Sequence, residues 1–247
     1  MKIGLIGAGS MASALARGWS QPVLVADAVP ERAQALAAEV GGTALRSGAE
    51  VADQADLVVL CHKPPQLAEV AAEAGTAAVV ASVLAGVRIA DLEAAYPNAA
   101  VYRFIPNIPV EVGAGVLCYS PGTRASEGPE AEVRALFGRL GTVIELDEPL
   151  VEPAMALMSC GPAFLAQMAE DLIAAGASHG LEREAAAHMV VETMGGTAAW
   201  LRAHDHDAAA LRLRVATPGG LTEKGLEVLE REGLHAAVDT VVEGATR

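Results

Sequence analysis

Residues 2–12 read Lys2-Ile3-Gly4-Leu5-Ile6-Gly7-Ala8-Gly9-Ser10-Met11-Ala12, an apolar run that ends in a spaced set of small residues. Apolar alternation leading into glycines is the pattern of a strand that stops at a tight turn. The segment Met11–Trp19 behind it reads as a helix, so the order is strand, turn, helix. In that context Gly7-Ala8-Gly9-Ser10-Met11-Ala12 fits the G-x-G-x-x-A form of the dinucleotide-binding fingerprint. Gly7 permits the turn, Gly9 lets the backbone approach a pyrophosphate, and Ala12 is small enough for close helix–strand contact. The first N–H groups of the helix lack internal partners and sit at its positive end, which suits an anion. Gly7, Ala8, Gly9, Ser10 and Met11 are therefore candidate cofactor-binding residues.

Asp27 stands twenty residues past Gly7, at the end of the second apolar run PVLVAD. An acid there binds the adenosine ribose hydroxyls and repels a 2′-phosphate, although Arg32, five residues on, could partly compensate. The cofactor expected is NAD(P)H, with NADH usable because of Asp27. A lysine before an apolar run also opens a signal peptide, but Gly4, Gly7 and Gly9 interrupt any such segment.

Further short β-branched runs occur at DLVVLC, AAVVASV and AVYRFI, with helical patterns at Glu31–Val40 and Pro65–Ala74 between strands. Strands alternating with helices argue for a parallel, doubly wound sheet. GVLCYS and GTVIEL flank a helical Gly128–Leu140 and would extend it. After Glu145 the pattern changes: DEPLVEP forms a joint, and only helical patterns follow, at Pro153–His179, Arg183–His204, Asp207–Val215, Leu221–Arg231 and Leu234–Thr246. The fold class expected is α/β: an N-terminal doubly wound Rossmann domain, 1–148, followed by an all-α domain, 149–247.

Seventeen basic against thirty-one acidic residues give a formal charge of −14, which repels nucleic acid and anionic membranes, so neither is expected as a partner. Hydrophobic residues make up 52% of the chain and mean hydropathy is +0.34. No apolar run is expected to reach the roughly 20 residues that span a bilayer, so the excess points to a buried interface between copies of the chain. Cys61, Cys118 and Cys160 have no CxxC spacing, which argues against disulfides and zinc, and for a reducing cytoplasm. No metal ligands are assigned. His204 and His206 in AHDHD read more simply as a helix-end charge cluster.

Later motifs carry a family resemblance. The chain resembles the pyrroline-5-carboxylate reductases through IGAGSM, CHKPPQ (61–66), SVLAGV (82–87), YRFIPNIPVEVGAGV (102–116), SCGPAFLAQMAEDLIAAGASHGL (159–181) and VATPGGLTEKGLEVLE (215–230). The last two are the most specific. The resemblance implies reduction of the cyclic imine 1-pyrroline-5-carboxylate to L-proline by NAD(P)H. It also implies a homodimer or higher assembly formed through the helical domain. It places His62, Lys63, Pro64, Leu84, Ala85 and Asn107 near the cofactor and Glu148 near the substrate. Asn107, between two prolines, also reads as a plain turn residue, and Glu148 as a solvated linker acid. Two departures stand out: Ser159-Cys160 where the family has Gly-Ser, and Gly48 where many members carry an asparagine near the adenosine.

The stretch RVATPGGLTEK (214–224) breaks two helical patterns. Pro218 cannot continue a helix, and Gly219 and Gly220 allow unusual backbone angles. Leu221 and Thr222 then start a helix whose first N–H groups suit a carboxylate. Thr217, Gly219, Gly220, Leu221 and Thr222 are the candidate substrate-binding residues; the plain alternative is a helix cap. By resemblance Thr222 sits against the ring nitrogen, as the catalytic candidate, and faces a nicotinamide. A protonated imine already attracts hydride, so orientation matters more than acid catalysis.

Two other readings compete. A β-hydroxyacid dehydrogenase would use a lysine on the long interdomain helix, but Lys2, Lys63 and Lys224 all lie elsewhere. A nucleotide-binding regulatory relative without reductase activity would suit the altered Ser159-Cys160 pair, whereas the intact Thr217–Thr222 turn tells against it.

Overall fold

The structure, a computed structural model, describes residues 1–245. The chain divides into two compact units, Met1–Cys160 and Gly161–Arg247. The first is built on strands β1 (Ile3–Ile6), β2 (Leu24–Ala26), β3 (Thr43–Ala44), β4 (Leu57–Leu60), β5 (Val79–Ser82), β6 (Ala100–Pro106), β7 (Gly115–Pro121) and β8 (Gly141–Glu145). Its helices are α1 (Ser10–Trp19), α2 (Pro30–Val40), α3 (Gly48–Gln54), α4 (Leu67–Ala74), α5 (Ile89–Ala95), α6 (Glu130–Gly138) and α7 (Val151–Met158).

The sheet order is β3-β2-β1-β4-β5-β6-β7-β8. Successive side chains of a strand point to opposite faces, so each face needs its own cover. Ile3, Leu5 and Phe104 pack with Leu15 and Trp19 of α1 and Phe137 of α6. Ile6, Val58 and Val80 pack on the other side with Val51 of α3, Leu92 of α5 and Tyr96. This is the doubly wound arrangement expected. Chain order reverses between β1 and β4, and ligands of such sheets bind at the carboxyl ends beside that reversal.

One pairing differs from a wholly parallel sheet. β7 runs antiparallel to β6, with Tyr102 opposite Pro121 and Pro106 opposite Leu117. The link 107–114 is eight residues with a short 3₁₀ helix at Ile108–Val112, too short for the crossover that a parallel neighbour requires, so the chain doubles back. α6 supplies a crossover, and β8 joins β7 in parallel. The short elements β3, α3 and α5 were not read from the sequence.

The helix expected over Pro153–His179 is two, α7 and α8 (Gly161–Ser178), parted at Ser159 and Cys160. Pro162 has no N–H to give to the carbonyl four residues earlier, that of Met158. Asn107 Nδ2 donates to that carbonyl instead, at 2.9 Å. α7 belongs to the first unit, because Val151 is buried with Ile105 and Cys118. The compact division therefore falls after Cys160, twelve residues beyond the joint read from composition.

The second unit is wholly helical: α8, α9 (Arg183–Ala203), α10 (Ala208–Val215), α11 (Leu221–Arg231) and α12 (Leu234–Ala245). Thr246, the last residue of the final helical pattern, lies outside the described residues. Gly176 lets α8 approach Ala186 of α9: a Cβ there would stand 3.3 Å from the Ala186 Cβ. Burial within the chain is otherwise sparse, and Leu165, Leu172, Met189 and Val191 are more than half exposed. By length and composition the stretch Glu148–Ser178 is apolar enough to cross a membrane, with a mean hydropathy of 1.2 in its most apolar window. That corrects the expectation that no run approaches such a length. Alanine, leucine and methionine fill the interval between Glu152 and Glu170 without a charge.

Candidate functional site

The first unit holds a cleft of about 470 Å³ along the carboxyl ends of β1, β2 and β4. Gly7, Gly9, Asp27, Arg32, His62 and Lys63 are among its lining residues. Gly7 has φ +105, and a Cβ on it would stand 2.6 Å from the carbonyl carbon of Cys61, so only glycine fits. Its constraint is internal: it lets the fingerprint turn lie against the chain leaving β4. Gly9 differs. No protein atom lies within 4 Å of where its Cβ would stand, as a close-lying ligand requires. Ala12 is fully buried against the sheet.

Asp27 braces this turn. Its Oδ2 accepts from the Ala8 N–H at 2.7 Å, and its Oδ1 accepts from the Val29 N–H at 2.8 Å. The carboxylate thus links the fingerprint to the start of α2 while still facing the cleft. Arg32 and Arg46 carry positive charge into the same space, and Glu69 and Glu73 carry negative charge. Glu73 Oε2 accepts weakly from the Gly48 N–H at 3.4 Å, filling room that a larger residue at 48 would take. Arg46 and Glu73 were missed because only the folding of α3 and α4 onto the cleft brings them there.

His62 Nδ1 lies 2.9 Å from the Lys63 carbonyl, which only accepts, so Nδ1 carries the proton. Nε2 is left a bare acceptor, buried without a partner. Burial, opposed by the Lys63 carbonyl, lowers the pKa and keeps the ring neutral. Burial likewise pushes the neighbouring Cys61 thiol up to about 12, which makes it a poor nucleophile. An open approach at Gly9, an unpartnered acceptor at His62 and nearby arginines fit a nucleotide.

Other expected cofactor residues do not line this cleft. Pro64 opens a short 3₁₀ turn beyond Lys63. Leu84 is buried and Ala85 exposed, in the turn after β5. Asn107 is 7% exposed, and its Oδ1 accepts from the Val116 N–H at 2.9 Å while Nδ2 serves Met158. Its amide joins β7 to the end of α7, which is the turn-holding role. Glu148 is committed too: Oε1 accepts from Arg103 Nη1 at 3.1 Å and from the Ile89 N–H at 2.6 Å.

In the second unit α10 stops at Val215 and α11 starts at Leu221, as the Thr-Pro-Gly-Gly break predicts. Gly219 has φ +74, a left-handed turn, and Gly220 precedes the helix in extended conformation. The Gly220 N–H donates to the Thr217 carbonyl at 2.9 Å, and a Cβ on Gly220 would stand 2.6 Å from Thr217 Oγ1. No side chain caps Leu221 and Thr222 from the Gly220 position. Glu223 reaches back, its Oε2 accepting from the Gly219 N–H at 2.6 Å. That contact was missed, although an acid at the third helical position is a known capping signal. Thr222 borders an apolar hollow of about 310 Å³ with Leu201, Leu211, Arg212, Val215 and Leu226. Such a hollow suits a small apolar ring, with Thr222 and Arg212 as polar handles.

Residues 148–247 match the family model for pyrroline-5-carboxylate reductase dimerisation, and residues 2–86 that for coenzyme F420-dependent NADP oxidoreductases. The pyrroline-5-carboxylate reductase of Mycobacterium tuberculosis is 32% identical, over 99% of this chain and 94% of its own length. A crystal structure of the Plasmodium falciparum pyrroline carboxylate reductase with NADP bound superposes with a TM-score of 0.89 at 26% identity, covering 100% of this chain and 95% of that one. The Streptococcus pyogenes 1-pyrroline-5-carboxylate reductase gives 0.88 at 27%, covering 100% and 98%. From strand-borne fingerprint to final helices, this chain belongs to the pyrroline-5-carboxylate reductase family.

Proposed function

We propose that this protein reduces 1-pyrroline-5-carboxylate to L-proline, with NAD(P)H as hydride donor. The observation that carries the reading is the 32% identity with a reductase of that name across 99% of the chain. Bound at the first unit, a dihydronicotinamide dinucleotide supplies a hydride. The chain's own residues bind and orient. The start of α1 beside Gly9 takes the pyrophosphate, and Asp27 takes the adenosine ribose. The start of α11 takes the substrate carboxylate, and Thr222 holds the ring nitrogen or its proton. The apolar hollow beside Thr222 offers the ring carbons a surface to pack on. A protonated C=N bond already carries the proton on nitrogen that a carbonyl oxygen would have to be given, so no side-chain acid is required, which agrees with the absence of lysine from α8.

NADH is usable beside NADPH in this reading. The Asp27 carboxylate favours a ribose diol, while Arg32 and Arg46 offer charge to a 2′-phosphate. A second copy of the chain covers the exposed apolar helices, consistent with the dimerisation family matched by residues 148–247. The same pairing accounts for the apolar stretch Glu148–Ser178 without a membrane.

The test is the initial rate of NADH and NADPH oxidation with pyrroline-5-carboxylate as acceptor. Oxidation that depends on the imine, with both cofactors, is expected. Nucleotide binding without imine-dependent oxidation would replace this reading with the regulatory one.

A further inference from the structure

We infer that Glu148 is a positioning residue: its carboxylate fixes the turn Leu84–Arg88 at the carboxyl end of β5 and does not contact substrate. The inference rests on the dinucleotide reading of the cleft. Arg103 lies in the middle of β6 and its side chain has no exposed surface. A guanidinium so placed needs charged partners. It has two, Glu148 through Nη1 at 3.1 Å and Glu152 through Nη2 at 2.9 Å. The Glu148 oxygen that takes Nη1 also accepts from the Ile89 N–H at 2.6 Å. One carboxylate oxygen therefore ties together β6, the first residue of α5 and the approach to α7.

The turn itself is held at both ends. On its early side the Val83 N–H donates to the Leu60 carbonyl at 3.1 Å, and the Leu84 N–H to Ser82 Oγ at 3.3 Å. Leu60 runs directly into Cys61, His62 and Lys63, which wall the cleft. On its late side the hold is Glu148. Leu84 and Val87 are buried between these anchors, leaving Ala85 and Gly86 as an exposed tip beside the carboxyl edge. Loss of the Glu148 contact frees the late end alone, so the tip shifts while the rest of the cleft stays.

With the adenosine end at Asp27 after β2, the other half of the dinucleotide extends past β1 and β4 toward the end of β5, beyond the cleft itself, so the consequence is a separation between its two halves. It is tested with the full chain and three variants: Glu148→Ala, Glu148→Gln and Ile89→Pro. Proline at 89 removes the N–H that Glu148 accepts from, at the first helical position, where proline is tolerated. Arg88 before it is already extended, at φ −86 and ψ 160. This variant keeps both charged side chains but sets Cδ against Glu148 Oε1, so the carboxylate must give way, and it carries the test should Glu148→Ala fold poorly.

Dissociation constants are measured for ADP-ribose, which lacks the nicotinamide, and for NADH and NADPH, together with kcat and KM for the imine. Native protein that fails to bind ADP-ribose sinks the cleft reading, whatever Glu148 does. Given that binding, Glu148→Ala and Ile89→Pro are expected to hold ADP-ribose within about twofold of native and to bind NAD(P)H about tenfold more weakly, the size of one lost charge-assisted hydrogen bond. Glu148→Gln, whose amide oxygen still accepts from Ile89, recovers most of the affinity. A rise in imine KM with unchanged NAD(P)H affinity makes Glu148 a substrate contact and overturns the inference. Equal weakening of ADP-ribose and NAD(P)H, or no change in either, overturns it as well.

Discussion

Replacing Asn107 by alanine removes two hydrogen bonds. The Val116 N–H loses Oδ1 and the Met158 carbonyl loses Nδ2, each at 2.9 Å. The second loss is the graver, because Pro162 leaves the Met158 carbonyl without its helical donor. A buried polar group left unpaired costs about 1–3 kcal/mol, and partial burial puts these near the lower end, so roughly 2–4 kcal/mol in all. For a chain of this size about 1 kcal/mol moves the melting midpoint by roughly 2–4 °C, which predicts a drop of about 5–15 °C. The assay is a thermal melt followed by circular dichroism, beside a titration of NADPH below the transition. The midpoint falls in that range while the NADPH dissociation constant changes less than about threefold. A midpoint within a degree or so of native, with nucleotide binding abolished, would refute the reasoning. Asn107 would then serve the cofactor, as the family resemblance alone suggested.

Thr222→Ala lowers kcat on the imine at least about tenfold, some 1.4 kcal/mol of barrier, with nucleotide affinity nearly intact; unchanged kinetics remove Thr222 from the mechanism. Asp27→Ser takes away both a charge and the acceptor of the Ala8 N–H. It weakens both cofactors, NADH more, so the ratio of kcat/KM for NADPH over NADH rises; a constant ratio means the adenosine end is read elsewhere. Glu223→Ala frees the Gly219 N–H and removes a negative charge from the start of α11. The imine KM falls, and a rise would show that Glu223 supports the turn more than it competes with the substrate carboxylate.

What the sequence disclosed was what local chemistry dictates. The strand–turn–helix around Gly7 and Gly9 follows from backbone constraints confined to a few residues, and so does the break between Val215 and Leu221. The reversed β7 was within reach, since the link 107–114 is shorter than a parallel crossover allows. So was the split at Ser159–Cys160, since Pro162 forbids one helical hydrogen bond. Both were passed over because helical and strand patterns flank them on each side. The ties that assign Asn107 and Glu148 their places were out of reach. Asn107 meets Met158 and Arg103 meets Glu148 only once the sheet has formed, and no periodicity marks such pairs. Glu73 and Arg46 entered the cleft in the same way.

A crystal of the protein grown with NADP⁺ and proline measures the central claim directly. The account predicts the proline carboxylate on the backbone N–H groups at Gly220–Thr222, Glu223 turned aside, and the ring nitrogen within hydrogen-bond reach of Thr222 Oγ1. Proline bound elsewhere, or those amides without it at saturating ligand, contradicts the account.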